Sequence, residues 1–221
     1  MPGLLILTYH FPPSAASGAF RLLGFAQHLP ALGVPVGVVY PPKLPWEPSD
    51  DSLAARIPAG TRLFPVEYPR GAPKALRWLS PYGIWLWHAR AAVRRAIDEM
   101  KPDAVLTSGP PHCIHLLGRH AQKHGRLPWI ADFRDPWVTT AEILPPTGWQ
   151  RLWEGFWERR VFRQADALVV NAPHALSSLA EAVPSVARKL HCIPNGYDPE
   201  AFPATAYHPS AGKLVRILHA G

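Results

Sequence analysis

Polar residues that could bind a phosphate or accept a proton follow two short apolar runs in the middle of the chain, at 104–107 and 129–131. They are Ser108 and His112 after the first run, and Asp132, Arg134 and Asp135 after the second. Each run has the length of a buried strand. Because ligands of an open parallel sheet bind outside the carboxyl ends of its strands, we expect these side chains to face one crevice.

Two interpretations are open for the residues after the first run. A helix beginning at Pro111 or His112 would direct its free backbone N–H groups into the crevice, where they favour an anion such as phosphate. In the alternative interpretation, Ser108 only caps that helix and His112 is an ordinary surface residue. The residue types do not decide between the two.

The second run is followed by two carboxylates with an arginine between them. Asp132 or Asp135 could bind a sugar or acceptor hydroxyl, or one of them could act as a general base. Alternatively, Arg134 pairs with a carboxylate and fixes the loop. We expect a functional role for Asp132, because it directly follows the predicted strand, and a structural role for Arg134.

The N-terminal segment predicts a phosphate-binding turn. An apolar strand at 4–9 is followed by a loop at 10–18 and a helix at 19–29, with Ser17 or Gly18 as the expected helix cap. Small loop side chains let backbone N–H groups approach an anion. The loop matches neither the dinucleotide-binding nor the P-loop consensus. Arg21, in the first helical turn, could reach a diphosphate or pair with a carboxylate.

Further apolar runs predict strands at 34–40, 62–67, 166–171 and 190–194, and helices at 82–100 and 149–161. Strands that alternate with helices predict an α/β fold, namely a Rossmann-like three-layer domain with a mostly parallel sheet. An apolar stripe recurs at intervals of three and four residues in the last helix, and we expect it to lie in the core. The stripe consists of Trp149, Leu152, Trp153, Phe156, Trp157 and Val161.

Composition restricts the cellular location and the type of site. The N-terminus lacks the features of a signal peptide, and no apolar run is long enough to cross a bilayer, so we expect a soluble or peripheral protein. Two cysteines, Cys113 and Cys192, make no disulfide framework, which fits the reducing cytoplasm. No metal is expected, because the histidines between 112 and 124 cannot share one helix face and no carboxylate completes a site.

The net charge of +7 is concentrated in residues 70–101, which contain seven basic and two acidic residues together with several tryptophans. This mixture suits the interface of an anionic membrane, and would place the protein peripherally on the inner membrane face. The alternative, which we favour, is a core-packed helix with an ordinary basic solvent face. Binding to nucleic acid is not expected, because the positive charge comes without a recognition motif.

Five segments, taken together, resemble the N-terminal half of family 4 glycosyltransferases of the GT-B fold. They are His10-Phe-Pro-Pro with Gly18 and Arg21, Thr107-Ser-Gly-Pro-Pro111, Ala131-Asp-Phe-Arg-Asp-Pro-Trp137, Asp166-Ala-Leu-Val-Val-Asn171 and Ile193-Pro-Asn-Gly-Tyr-Asp198. Their order along the chain is also that of the family. The similarity covers about residues 3–200.

The resemblance implies a retaining transferase that moves a sugar from a nucleotide-sugar donor to a hydroxyl acceptor, with no other cofactor. Such enzymes often assemble polysaccharide, lipopolysaccharide or glycolipid at the inner face of a membrane. Their N-terminal domain mainly holds the acceptor, and their C-terminal domain mainly holds the donor. The implied domains are an N-terminal domain at 1–200, a linker at 201–213 and the first strand of a donor-binding domain at 214–221.

Carried over by position, the resemblance gives roles to individual residues. Ser17 and Gly18 would touch the donor diphosphate. Asp132 and His112 would line the acceptor side near the transferred sugar, as the candidate catalytic residues. The candidate substrate-binding residues are Ser17, Gly18, Arg21, Ser108, Arg134, Asp135, Asn171 and Asn195.

Two departures from the family pattern limit this assignment. The first loop carries Ser-Ala-Ala-Ser-Gly at 14–18 where many members have consecutive glycines. The donor-binding pair of glutamates eight residues apart cannot be formed from any two glutamates of the chain. We therefore expect half a site, inactive alone. The alternative is a non-catalytic binding or membrane-anchoring module that partners a separate donor-binding chain.

Overall fold

The computed structural model describes residues 3–69, 81–142, 145 and 147–197 of the chain. These residues form one sheet of seven strands in the order β3-β2-β1-β4-β5-β6-β7, and all neighbouring strands are parallel. The strands are β1 (Leu4–Thr8), β2 (Val36–Tyr40), β3 (Arg62–Pro65), β4 (Ala104–Gly109), β5 (Trp129–Phe133), β6 (Ala167–Val170) and β7 (Leu190–Cys192). The predicted α/β, Rossmann-like domain is confirmed.

Helices cover both faces of the sheet. They are α1 (Ser17–His28), α2 (Asp51–Ala54), α3 (Pro81–Met100), α4 (His115–Gly125), α5 (Gly148–Gln164) and α6 (Pro173–Ala182). Successive side chains of a strand point to opposite faces. Ile6 of β1 accordingly packs with Leu22 of α1, while Leu5 and Leu7 pack in the core formed with α3 and α4. The helix α5 covers β5 and β6 through Val161 and Phe162.

Two strands run further than the sequence predicts, and this changes the setting of two candidate residues. β4 continues to Gly109, so Ser108 is a strand residue and the interpretation as a helix cap is wrong. β5 continues to Phe133, so Asp132 lies within the strand instead of directly after it. Both runs extend because Ser108 and Asp132 pair in the parallel ladder between β4 and β5.

The helix boundaries also differ in detail. The helix α1 begins at Ser17 with Ala16 as its N-cap, so the expected cap at Ser17 or Gly18 is wrong by one residue or two. After β4, a short 3-10 turn at His112–Ile114 leads into α4 at His115. The predicted helix start at His112 is therefore correct for the turn, and the regular α-helix begins three residues later.

The expectation that the aromatic stripe of α5 lies in the core is confirmed for Val161, with Trp157 packed against the core, and is wrong for the other four residues. Trp149 is 72% exposed, Leu152 67%, Trp153 52% and Phe156 43%. The buried positions of this helix are Gly155, Glu158, Val161 and Phe162. Residues two positions apart on an α-helix point about 200° apart, so a face that includes Gly155 turns Trp153 away from the sheet.

Some predictions concern residues outside the described part of the chain. They are the linker at 201–213, the strand at 214–221, and the part of the basic region at 70–80. Among the described residues, none of the helices is both long enough and apolar enough to cross a membrane.

Because α4 packs closely against β5, a side chain larger than glycine at position 118 should destabilise the fold. A Cβ atom on Gly118 would lie 2.1 Å from Nε1 of Trp129, a fully buried ring whose N–H donates to Thr107 Oγ1 at 2.8 Å. Overpacking a core site of this kind costs about 1–3 kcal/mol, so Gly118→Ala should lower the free energy of unfolding in urea by that amount.

Gly24 in α1 provides the matched control for that substitution. A Cβ atom at this position would have no neighbouring atom within 4 Å, so Gly24→Ala should raise the free energy of unfolding by about 0.5–1 kcal/mol through helix propensity. A Gly118→Ala variant that is as stable as Gly24→Ala would contradict the close approach of α4 to Trp129.

Candidate active-site crevice

A buried ion pair joins α1 to the carboxyl end of β5. Arg21 donates from Nε to Asp132 Oδ2 at 3.2 Å and from Nη2 to Oδ1 at 3.0 Å. Asp132 is completely buried and Arg21 is 9% exposed. Of the two roles open for Arg21, pairing with a carboxylate is the one that the structure shows.

Two further predicted residues join this pair. Ser108 donates to Asp132 Oδ2 at 2.7 Å, across the ladder between β4 and β5. Nη1 of Arg21 donates to the Asn195 side chain at 3.1 Å and to the carbonyl of Pro194 at 3.2 Å, in the loop after β7. We call Arg21, Ser108, Asp132 and Asn195 the Arg21 network. It gathers residues as far as 174 positions apart at one edge of the sheet.

The Arg21 network determines what Asp132 can do chemically. Both carboxylate oxygens already accept hydrogen bonds, two from Arg21 and one from Ser108. These three bonds occupy most of the roughly four acceptor positions of the carboxylate, and Asp132 is completely buried, so a substrate hydroxyl does not reach it in this geometry. In this geometry Asp132 positions Arg21 and Ser108.

Arg134 holds the neighbouring loops together. Its Nε donates to the carbonyl of Gly109 at 3.2 Å, and its Nη2 donates to the carbonyl of Pro110. The hydrogen-bond acceptors are thus carbonyls, whereas the sequence suggested a carboxylate. Burial lowers the pKa of Arg134, and the nearby charges of Asp132 and Asp135 oppose that shift.

Gly18 allows Arg134 to lie against the start of α1. A Cβ atom at this position would be 1.5 Å from Nη1 of Arg134, so any larger residue would displace the guanidinium. The N-cap residue is Ala16, which has no side-chain oxygen to satisfy the first N–H groups of the helix. A cationic group and an uncapped helix N-terminus therefore lie together at the carboxyl edge of the sheet, a combination that favours an anion.

His112 lies at the same edge but beside the other helical layer. Its ring stacks on Trp137 with 5.2 Å between the ring centroids, and on Phe133 at 5.8 Å. Burial lowers the pKa of His112 to about 4, and the charge of Arg134 adds to this effect, while a hydrogen bond to the Pro136 backbone opposes it. The imidazole is therefore neutral at pH 7.

A second histidine, which was not a candidate site residue in the sequence analysis, lies next to His112. His115 is completely buried, and its Nδ1 lies 2.8 Å from Thr107 Oγ1. Its ring centroid is 6.0 Å from that of His112. Burial lowers the pKa of His115 well below its ordinary value, and the charges of His112 and Arg134 act in the same direction.

A cavity of about 730 Å³ opens beside His112, between the start of α4 and the side of α5. Two glutamates of α5 shape it by holding the loop after β5. Glu154 accepts from Trp137 Nε1 at 3.0 Å, and the buried Glu158 accepts from the backbone N–H groups of Val138 at 2.9 Å and Thr139 at 3.1 Å. The cavity wall is therefore fixed to the helix.

Besides Gly18, Arg134 and His112, three predicted residues lie outside the Arg21 network. Ser17, the first residue of α1, and Asp135 are both exposed at the edge of the crevice. Asn171 directly follows β6 and is half-buried. The structure brings together Gly18, Arg134 and the Arg21 network, with His112 adjacent to them across the end of the sheet.

One further pair of polar residues, near the end of β1, was not predicted from the sequence. Glu47 lies 3.2 Å from His10 Nδ1 and accepts from Ser14 Oγ at 3.1 Å. Burial alone would raise the pKa of Glu47, but these contacts with His10 and Ser14 lower it overall. Glu47 belongs to a segment rich in proline and acids, whose composition indicated only a surface excursion.

Comparison with known families identifies the family of the chain. A family model described as "Glycosyl transferase 4-like domain" matches residues 18–196, which include every candidate site residue except Ser17. The chain belongs to this family. The resemblance predicted from the five segments is thereby confirmed. No curated protein matches the chain by sequence.

Solved structures of other proteins share the fold at low identity. UGT2 of Phytolacca americana, complexed with UDP-2fluoro-glucose and pterostilbene, has a TM-score of 0.61 and 15% identity, covering 88% of this chain and 54% of that one. Anabaena Alr3699/HepE in complex with UDP-glucose has a TM-score of 0.52 and 17% identity, covering 91% and 46%. UDP-GlcNAc 2-epimerase from Methanocaldococcus jannaschii has a TM-score of 0.53 and 11% identity, covering 88% and 46%.

At these identities the likeness establishes the fold alone, and an epimerase is among the proteins that share it. The chain spans about half the length of the solved structures it matches. The assignment of the chain to its family therefore comes from the family match.

The half-buried imidazole of His112, whose pKa is lowered, predicts a specific dependence of stability on pH. Its pKa is about 4 in the folded protein, against an ordinary value of 6.5, so between these values the unfolded chain binds more protons. The associated stability is present above pH 6.5 and is lost as the pH falls towards 4. The loss amounts to about 2–3 kcal/mol at pH 4.5.

The variant His112→Gln cannot titrate at this position, while His115 titrates in both proteins. Urea unfolding at pH 7 and pH 4.5 should therefore show a smaller loss of stability in the variant than in the wild type, by about 2–3 kcal/mol. The same loss in both proteins would show that His112 is not held neutral by burial.

Proposed function

We propose that the chain is the acceptor-binding half of a retaining glycosyltransferase that moves a sugar from a nucleotide sugar to a hydroxyl acceptor in polysaccharide or glycolipid synthesis. The observation that carries this proposal is the convergence of Gly18, Arg134, Asp132 and His112 at the carboxyl edge of one parallel sheet, in a chain of this family. Ligands of open α/β sheets bind at that edge.

The α1 side of the crevice suits the donor diphosphate. The helix begins at Ser17 without a side-chain cap, and Nη1 of Arg134 lies over Gly18. Arginine and a helix N-terminus are both suited to phosphate oxygens. Two of the solved structures that share the fold contain a UDP-sugar, which supports a nucleotide sugar as the donor here.

The His112 side of the crevice suits the acceptor. A neutral imidazole can accept a hydrogen bond from an acceptor hydroxyl, and its low pKa keeps it unprotonated at the pH of the cytoplasm. Stacking on Trp137 fixes the ring plane. We assign His112 to orienting the hydroxyl, and Asp132 to holding Arg21 and Ser108 in place on the α1 side of the sheet. Asp135, Asn171 and Asn195 line the edge as substrate-binding candidates.

In this proposal the donor sugar is bound by a second domain. The chain has no pair of glutamates eight residues apart to hold the donor sugar, and it spans about half of each matched structure. We propose that it transfers no sugar until a donor-binding domain is supplied. Beyond the nucleotide-sugar substrate, the proposed reaction uses no cofactor.

The surface of α3 favours a second candidate, the membrane-anchoring module. Trp87 is 69% exposed, and the guanidinium of Arg90 lies 4.4 Å from its ring centroid. Arg94 and Arg95 are exposed on the same helix. Tryptophan and arginine together suit the headgroup region of an anionic bilayer, so this helix could place the domain peripherally on the inner membrane face.

Nucleoside diphosphate release distinguishes the two candidates. The chain is incubated with UDP-glucose, UDP-N-acetylglucosamine or GDP-mannose and a mixture of hydroxyl acceptors, either alone or with the C-terminal domain of a family 4 glycosyltransferase. We expect acceptor-dependent release only in the second case, because only then are both halves of the site present. Replacing Gly18 by Ala should reduce that release at least about tenfold by displacing Arg134.

Robust transfer by the chain alone would contradict the proposed half-site. If neither preparation releases diphosphate and the chain floats with phosphatidylglycerol vesicles in a salt-sensitive manner, the membrane-anchoring module is supported instead. The variant Arg90→Gln with Arg94→Gln and Arg95→Gln is the control for that flotation.

A further inference from the structure

The cavity beside His112 has the size and lining of a ligand site. Its volume of about 730 Å³ falls within the range of small-molecule pockets. Most of its wall is apolar. The apolar lining includes Leu116 of α4, Trp137 of the loop after β5, and Trp149, Trp153 and Trp157 of α5.

The polar end of the cavity coincides with the proposed reaction site. His112 lines the cavity and also lies at the carboxyl edge of the sheet, next to the loop that Arg134 fixes. The other polar side chains of the lining already have partners within the protein: Thr147 bonds to Gln150, Cys113 contacts the Tyr9 hydroxyl, and Glu154 accepts from Trp137. A ligand in the cavity would therefore present its polar end to His112 and keep its apolar part against the tryptophans.

The apolar surface does not stop at the cavity. Trp149 and Trp153, whose ring centroids are 6.5 Å apart, line the cavity and are also exposed on α5. Leu152 and Phe156 continue the exposed face of the helix. A compact acceptor would fill the cavity and leave this exposed face of α5 uncovered. The alkyl chain of a lipid could extend from the cavity along the face. Contiguous apolar faces of this kind on soluble proteins mark binding sites.

The charge around this face suits an anionic surface. The helix α5 carries Arg160 and Arg163 on the side of this face and Arg159 beside it, and its two glutamates are engaged with the loop after β5. Tryptophan side chains are enriched where a protein meets the headgroups of a bilayer, and flanking arginines complement anionic lipids. A bilayer surface is therefore the source from which an acceptor would reach this face.

From these observations we propose that the cavity binds the apolar chain of a lipid acceptor, whose hydroxyl-bearing headgroup lies at His112. The inference rests on the proposed function, which supplies the acceptor, and it adds the substrate class. The exposed tryptophan face of α5 guides the chain between the membrane surface and the cavity. The residues that bind the alkyl chain of the lipid are Trp149 and Trp153.

Binding of a simple amphiphile tests this inference without any turnover. The probe is octyl β-D-glucoside below its critical micelle concentration, and methyl β-D-glucoside has the same headgroup without the chain. Calorimetric titration should show that octyl glucoside binds at least about tenfold more tightly, because burial of its chain is favourable. Trp153→Ala and Trp149→Ala should each weaken octyl glucoside binding at least about fivefold.

Trp87→Ala is the matched control, because Trp87 is exposed on α3 and is not part of the cavity lining. It should leave the affinity within about twofold. Equal affinities for the two glucosides, or unchanged binding in both α5 variants, would overturn the inference. So would sedimentation data in which the α5 variants abolish a dimer, since a second copy of the chain would then cover this face.

The octyl glucoside titration and the diphosphate-release assay can fail independently, because amphiphile binding requires neither a donor nor a second domain. Sugar transfer to a water-soluble acceptor without octyl glucoside binding would leave the glycosyltransferase proposal intact and refute the lipid acceptor. Octyl glucoside binding that depends on the alkyl chain, without sugar transfer in any preparation, would support an amphiphile-binding cavity and contradict the glycosyltransferase proposal.

Discussion

The buried pair between Arg21 and Asp132 is the interaction on which the geometry of the crevice depends. Removing two charges from water is unfavourable unless the geometry is good and the remaining hydrogen-bonding groups are satisfied. Here the contact is bidentate, Ser108 donates to the same carboxylate, and Asn195 accepts from the guanidinium. The pair thereby fixes α1, the ends of β4 and β5, and the loop after β7 relative to one another.

The crevice is asymmetric because the pleat of the sheet separates its polar residues. Asp132 faces α1, whereas its neighbours Ala131 and Phe133 face α5, so the Arg21 network and the His112 cavity occupy opposite faces of β5. Arg134 connects the two sides at the end of the strand, bonding Gly109 and Pro110 while lying against Gly18. Under the proposed function, one side serves the diphosphate and the other serves the acceptor.

The parallel sheet and the meeting of Arg134, Asp132 and His112 at one of its edges were predictable from the sequence because both follow from local patterns. Buried parallel strands are continuous apolar runs, and polar residues after them must lie at one edge. The partner of Arg21 was not predictable, since 111 residues separate it from Asp132. The exposure of Trp153 was not predictable either, because helical periodicity defines a stripe but not whether that stripe faces the sheet or the solvent.

The contact between Glu47 and His10 was not predictable for the same reason, since it joins residues that follow two neighbouring strands. A cluster of polar residues that are close in sequence, such as those in the segment at 131–137, can be recognised from the sequence alone. Chemistry assembled across the sheet requires the register of the strands, and a slightly longer β5 was enough to move Asp132 from a loop into the core.

The coupling between Arg21 and Asp132 is measured most directly by a double-mutant cycle of unfolding free energies with Arg21→Met, Asp132→Asn and the double variant. Each single substitution leaves one buried charge without its partner, so we expect each to lower the free energy of unfolding by about 3–5 kcal/mol. The double variant should lose at least about 2 kcal/mol less than the sum of the two single losses. Strictly additive losses, or single losses below about 1 kcal/mol, would contradict the organising role of this pair.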